Sequence, residues 1–158
     1  MKGTGQMKKI NTTPLALLFI IIAIVGNTVV AQAPNGNLCV ITNSKGSPTE
    51  LKLTELMAVM KGEKQRWNDG TKISIALMKT STQVGEATSK KIYGMTGDEL
   101  NKFWLALVFQ GKAKAPMFFS STIELETYVQ ITPGAIGIIE ESGQVKLKPI
   151  SVDGKKSF

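Results

Sequence analysis

LKLTELMAVMKGEKQRWNDGTKISIALMKTST, residues 51–82, is the stretch of sequence that decides the fold. Its first half predicts a helix, because apolar side chains recur there at helical spacing. Thr54 is predicted to cap this helix and Gly62 to end it. The predicted buried face carries Leu56, Val59 and Met60.

The second half of this stretch predicts a strand that leads into a polar loop. After Trp67 the chain turns at Asn68-Asp69-Gly70, and residues 73–78 then alternate with the period of two that is typical of a strand. The strand ends in hydroxyl residues at the start of a predicted helix from Thr82 to Tyr93. Unpaired backbone N–H groups and the helix dipole favour an anion there.

The rest of the chain continues the alternation of strands and helices. Leu38–Thr42 and Ala135–Ile139 are apolar runs of strand length, and Gln144–Val152 predicts a last strand. Thr96 and Ser121 each begin a capping-box pattern that precedes an apolar helical stripe. The predicted fold class is therefore α/β, with a mixed sheet flanked by helices.

Residues 1–31 are predicted to be a signal peptide. Three lysines precede an apolar run from Leu15 to Val25, which is shorter than the roughly 20 residues of a membrane span. Small residues follow, and cleavage is predicted after Ala31 or Ala33. Residues 34–158 would then form one periplasmic or secreted domain without a membrane span. An uncleaved signal anchor is the alternative.

Composition argues against several classes of function. The single cysteine excludes an internal disulfide, and without histidine the chain lacks a zinc-type ligand set. No pattern places a nucleophile beside a base, so we expect no enzymatic activity, no cofactor and no metal. With the three lysines of residues 1–31 set aside, 16 basic side chains face 12 acidic ones without a Lys/Arg block, and we expect no nucleic-acid binding.

Several prominent side chains are interpreted as structural. Trp67 and Trp104 are expected in the core or on the lobe surface rather than as stacking platforms, and Cys39 is expected to be a small buried side chain within a strand. The acidic pairs are expected at exposed caps and turns rather than in a catalytic site. These pairs are Asp98/Glu99, Glu124/Glu126 and Glu140/Glu141.

Three segments that cover most of residues 34–158 resemble a known family. They are residues 51–79, KKIYGM at Lys90–Met95 and ITPGAIGII at Ile131–Ile139, the last followed by VKLKPISVDG. In this order they resemble a helix with a Trp-x-Asp-Gly turn and strand, the end of a phosphate-binding helix, and a return strand. The order of these three segments is similar to that in the substrate-binding proteins of phosphate ABC uptake systems, within the type 2 periplasmic-binding-protein superfamily.

The resemblance implies a ligand site at the loop after the strand. Family members carry an arginine there and then Gly-Ser-Gly-Thr, whose hydroxyl and backbone N–H groups hold phosphate. Lys79 stands in place of the arginine and keeps its charge without the bidentate fork. Ser81-Thr82-Gln83-Val84 stands near the four-residue motif, with Val84 in place of a hydroxyl donor. The implied binding residues for phosphate or a related oxyanion are Lys79, Thr80, Ser81, Thr82 and Gln83.

Chain length adds a further expectation. Full-length receptors of the family close two lobes around the ligand, whereas residues 32–158 make about one lobe. We therefore expect weak anion binding unless a homodimer or an envelope protein supplies the second wall. The alternative is a receptor-derived lobe that has lost its ligand and acts as a protein-interaction module in the cell envelope.

Overall fold

The computed structural model describes residues 36–141 and 146–158, together with Gly3. The predicted signal peptide therefore lies, Gly3 apart, outside the described residues. The strands are β1 (Leu38–Thr42), β2 (Glu50–Leu51), β3 (Ser74–Met78), β4 (Met117–Phe119), β5 (Ala135–Glu140) and β6 (Ser151–Val152). The helices are α1 (Leu53–Met60), α2 (Gln83–Thr88) with a π-helical segment (Ser89–Tyr93), α3 (Gly97–Phe109) and α4 (Thr122–Ile131).

The described strands form a four-stranded sheet and a separate two-stranded one. The larger sheet has the order β1-β5-β3-β4, in which β1 pairs with β5 in antiparallel fashion and the other pairs are parallel. Strands β2 and β6 form the small parallel sheet. The predicted α/β class with a mixed sheet flanked by helices is confirmed.

The larger sheet is covered on both faces, so β3 contributes side chains to two cores. Leu77 lies in one core with Trp67 and Trp104, which are 5% and 2% exposed. Ala76 and Met78 face a second core on the other side, which α4 covers. The predicted core positions of the two tryptophans are confirmed. The indole Nε1 of Trp67 also donates to the carbonyl oxygen of Gly134 at 2.9 Å.

Helix α1 has the predicted buried face but not the predicted cap. Leu56, Val59 and Met60 are buried, as expected. The helix begins at Leu53, with Lys52 as an N-cap that makes no side-chain hydrogen bond. The prediction that Thr54 caps this helix was wrong. The carboxylate of Asp153, which is distant in the sequence, takes that role, and its Oδ1 accepts from the N–H of Leu53 at 3.2 Å.

The two helices after β3 agree closely with their sequence signals. The predicted helix from Thr82 to Tyr93 is α2 with its π-helical continuation, and Thr82 is its N-cap. The capping box at Thr96 is confirmed, with both reciprocal hydrogen bonds to Glu99 present. The N–H of Thr96, at 2.8 Å, and its hydroxyl, at 3.0 Å, both donate to Oε2 of Glu99 and hold the pKa of that carboxyl below its ordinary value.

The segment before β6 differs from prediction. Residues 144 and 145 lie outside the described residues, and the strand begins only at Ser151. Pro149 has no N–H for a ladder, and the N–H of Lys146 donates to the carboxylate of Glu126 at 3.0 Å. Glu126 was expected to be exposed, but its side chain is buried under this segment and is 7% exposed. Among the described residues, no helix has both the length and the apolar character to cross a membrane.

Candidate functional site

The loop Lys79–Gln83 connects the carboxyl end of β3 to the first turn of α2. The N–H of Lys79 donates to the carbonyl oxygen of Phe119 at 2.9 Å, which continues the pairing of β3 with β4. The side chain of Lys79 is exposed. The sheet therefore fixes the backbone at the base of the loop while the ammonium group stays in solvent. Ligands of open α/β sheets bind at this carboxyl edge.

The hydroxyl of Thr82 is committed to the fold of the loop. It donates to the carbonyl oxygen of Lys79 at 2.8 Å and accepts from the N–H of Gly85 at 3.1 Å. The N–H of Thr82 donates to the same carbonyl oxygen at 2.8 Å. Because its single proton is already used, this hydroxyl positions the loop and has no donor left for an anion.

Gly85 allows the helix to approach the end of β3, and this role was not predicted from the sequence. A Cβ atom at this position would lie 2.0 Å from the carbonyl oxygen of Lys79 and 2.8 Å from that of Met78. The helix backbone therefore lies directly against the strand end. The available signal was a glycine in the interior of a helical pattern, which commonly marks close packing.

Thr80 joins the loop to the first turn of α3. Its Oγ1 accepts from Nδ2 of Asn101 at 3.2 Å, so its own proton remains available for a further acceptor. A Cβ atom on Gly97 would lie 2.8 Å from Cβ of Thr80. The loop thus lies beside the amino termini of both α2 and α3. Asp98 and Glu99 in the first turn of α3 offset part of the resulting positive potential.

The groups that remain for an anion are few and exposed. The side chains of Lys79, Ser81 and Gln83 are exposed. The backbone N–H groups of Gln83 and Val84 occupy the first two helical positions, where no intrahelical acceptor exists. Within the described ranges no other acceptor lies within hydrogen-bond distance of these two groups. Glu86, one turn further on, pairs with Lys90 at 2.7 Å, which lowers the pKa of its carboxyl.

Among the described residues, Lys79, Ser81 and Gln83 are exposed, and Gln83 borders a small depression that Leu38 and Glu140 also line. Two clefts of about 260 and 390 Å³ lie elsewhere, and no residue of Lys79–Gln83 lines either of them. The five predicted residues, Lys79–Gln83, are contiguous, but they form only one wall of a binding site. Among the described residues, no group of three His, Cys, Asp or Glu side chains is arranged to hold a metal ion.

Three solved structures share this arrangement of elements. An ABC-type phosphate transport receptor from Vibrio cholerae matches with a TM-score of 0.59 and 17% identity, over 78% of this chain and 49% of that one. A putative phosphate ABC transporter substrate-binding protein with bound phosphate, from Clostridium perfringens, matches with a TM-score of 0.58 and 15% identity, over 75% of this chain and 46% of that one. PstS from Borrelia burgdorferi matches with a TM-score of 0.56 and 20% identity, over 76% of this chain and 48% of that one. At these low identities, the matches show that this chain and the three receptors share a fold.

The resemblance to phosphate receptors is thereby confirmed at the level of architecture. The chain spans about half the length of each of these three receptors. No protein-family model and no curated protein matches the sequence. A shared fold does not by itself transfer a ligand. What this protein can bind therefore depends on the chemical groups of the loop itself.

Proposed function

We propose that this protein binds phosphate or a related oxyanion non-covalently at the loop Lys79–Gln83. The observation that carries the proposal is the junction of β3 and α2, where the exposed Lys79 precedes the first turn of α2 and the N–H groups of Gln83 and Val84 make no hydrogen bond within the described residues. A helix amino terminus with an adjacent cation is a general arrangement for anion binding. The hydroxyls of Thr80 and Ser81 supply two further donors, and the receptor-like fold agrees with this role.

The proposed affinity is low, because one wall leaves the ligand partly in water. A charge-assisted hydrogen bond contributes about 1.5–3 kcal/mol, and binding must first offset several kcal/mol of lost freedom. A net binding free energy of about 4 kcal/mol corresponds to a dissociation constant near 1 mM. A second copy or an envelope protein that closed over the loop would raise the affinity by excluding water.

Phosphate-dependent melting tests this function. Millimolar phosphate should raise the melting temperature of the protein relative to chloride at equal ionic strength. The double variant Lys79→Ala/Ser81→Ala should lose this rise, while Lys148→Ala, which removes an exposed lysine elsewhere, should keep it. Both loop side chains are exposed, so the double variant should melt at nearly the wild-type temperature without phosphate. An unchanged phosphate response in the double variant would place binding elsewhere.

We propose further that residues 1–31 direct export, so that the domain acts in the periplasm or after secretion. The support is the basic segment, the apolar run Leu15–Val25 and the small residues before Ala31. Amino-terminal sequencing of the protein recovered from a cell-envelope fraction would test it. The expected first residue is Gln32 or Pro34, and recovery of the uncleaved chain would favour the signal anchor instead.

A protein-interaction module is the second candidate function. The observation that favours it is an apolar stripe on α3, where Leu105, Val108 and Phe109 are 57%, 42% and 83% exposed. Isolated exposed apolar residues are ordinary, but a contiguous group on one helix face often marks an interface. Absence of any melting shift with phosphate or sulfate, together with recovery of one fixed envelope partner, would favour this function over anion binding.

A further inference from the structure

A concave site lies at the opposite end of the larger sheet from the loop Lys79–Gln83. A cleft of about 260 Å³ opens at the amino-terminal ends of β3 and β4. One wall is the hairpin Gln65–Ile73, and the other is the segment Ala113–Met117. Because β3 separates this cleft from the loop Lys79–Gln83, the two sites can be altered independently.

The hairpin places two cations side by side. Arg66 and Lys72 are partners in an antiparallel bridge, and the N–H of Ile73 donates to the carbonyl oxygen of Gln65 at 2.9 Å. Like charges directly opposite each other in such a pair are destabilising. Lys72 lines the cleft, whereas Arg66 does not, because its Nη1 donates to the carbonyl oxygen of Gly70 at 2.8 Å.

A third cation comes from the other wall. The ammonium group of Lys114 lies close enough to that of Lys72 to lower the pKa of Lys72, and Arg66 adds a smaller effect of the same sign. The two walls are tied together, because Nε2 of Gln65 donates to the carbonyl oxygen of Lys112 at 2.6 Å. The cationic groups are thus brought together by contacts between distant parts of the chain.

These three cations have no carboxylate partner among the described residues. The ion pairs found there join Lys64 to Glu55 and Lys90 to Glu86. Lys64 also lines the cleft, but Glu55 already balances its charge. Lys72 and Lys114 are both exposed, and their unbalanced positive charge attracts anions to the cleft.

The remaining lining suits a small ligand that accepts hydrogen bonds. Ser74 and Tyr128, whose side chains carry hydroxyl groups, line the cleft together with Ile73 and Ile75. The volume lies below the range of about 300–1,000 Å³ that is usual for drug-sized ligands. We propose that this cleft binds a small multivalent oxyanion, of the class of inorganic pyrophosphate, between Lys72 and Lys114. A multivalent anion fits better than a monovalent one because it can offset both ammonium groups at once.

The test uses inorganic pyrophosphate and the full chain without added divalent metal, at constant ionic strength. Pyrophosphate should raise the melting temperature and shift the backbone amide NMR signals of residues 72–75 and 113–115. Lys72→Gln/Lys114→Gln should weaken binding by at least about tenfold, as expected for the loss of two charge-assisted contacts. Lys148→Gln, which changes an exposed lysine outside the cleft, is the matched control and should bind as wild type does.

The variant Lys79→Ala/Ser81→Ala separates this proposal from the proposed phosphate site. It should leave the pyrophosphate shifts at residues 72–75 unchanged. The proposal is overturned if pyrophosphate shifts no amide signal in the cleft, or if its effect is unchanged in Lys72→Gln/Lys114→Gln. It is equally overturned if the shifts appear only in Lys79–Gln83, or if an acidic peptide occupies the cleft and pyrophosphate does not.

Discussion

The carbonyl oxygen of Lys79 occupies the space that a side chain on Gly85 would need. A Cβ atom on Gly85 would lie 2.0 Å from that oxygen, far inside van der Waals contact. Both partners are backbone, so neither can move without shifting the strand end or the helix. The contact fixes how closely α2 approaches the loop Lys79–Gln83.

We predict that Gly85→Ala destabilises the protein by about 1–3 kcal/mol, the usual cost of overpacking. The sign of the change in stability is informative, because replacing glycine by alanine at an open helix position would instead stabilise the protein by up to about 1 kcal/mol through helix propensity. Urea denaturation of both proteins measures the difference in the free energy of unfolding. A more stable variant would show that α2 does not lie against the strand end.

Thr82→Ala removes the N-cap of α2. We expect a loss of about 1 kcal/mol in the free energy of unfolding, because the N–H of Gly85 and the carbonyl oxygen of Lys79 both lose a partner. Thr82→Ser keeps the hydroxyl and is the matched control, with an expected change of a few tenths of a kcal/mol. Equal losses in the two variants would show that the methyl group, and not the cap, supplies the stability.

Asn43→Ala should be among the most destabilising substitutions. The side chain is 4% exposed, and its Nδ2 donates to the carbonyl oxygens of Val129 and Gln130 at 2.9 and 2.8 Å. Its Oδ1 accepts from the N–H of Lys45 at 2.7 Å. Leaving these groups unpaired should lower the free energy of unfolding by about 2–4 kcal/mol. Ser44→Ala, at the exposed neighbouring position, is the control and should change it little.

Cys39 should reduce the stability of the protein at alkaline pH. Burial first, and then the charges of Glu141 and Glu126, raises the pKa of the thiol from 9.0 to about 11. Above pH 9 the unfolded chain loses this proton while the folded chain keeps it, so this contribution to the free energy of unfolding falls up to about pH 11. The alkaline loss measured by urea denaturation should be smaller in Cys39→Ala. An identical pH profile in the variant would contradict the burial of the thiol.

The same burial predicts a chemical result. Native Cys39 should react with a disulfide reagent at neutral pH far more slowly than the thiol of the urea-unfolded chain, because the thiolate is the reactive form. Rapid labelling of the native protein would mean that β1 opens readily.

Local patterns in the sequence were sufficient to predict most of the helices and strands. The alternation from Ile73 to Met78 and the capping box at Thr96 depend on residues close in the chain, and both are found where they were predicted. The short strand β4 was not predicted, because three residues after Pro116 carry too little periodicity. The position of the loop Lys79–Gln83, between β3 and α2, was also predicted.

Contacts between distant residues could not be predicted in this way. The carboxylate of Asp153 caps α1 from 100 residues further along the chain, and the buried carboxylate of Glu126 accepts from the N–H of residue 146. Sequence spacing also could not show that the hydroxyl of Thr82 is used within the loop. The cluster of Arg66, Lys72 and Lys114 likewise arises only when a hairpin meets a separate segment.

The π-helical segment Ser89–Tyr93 links the position of the loop to the number of residues in the chain. Ile92 and Tyr93 at its end are anchored in the core, and Gly85 lies against β3 about two turns earlier. A π-helical turn holds about one residue more than an α-helical turn, so the segment accommodates one extra residue between these two anchors. Related chains that lack one residue here should therefore keep the loop in the same direction and have an α-helical turn in place of the π-helical one.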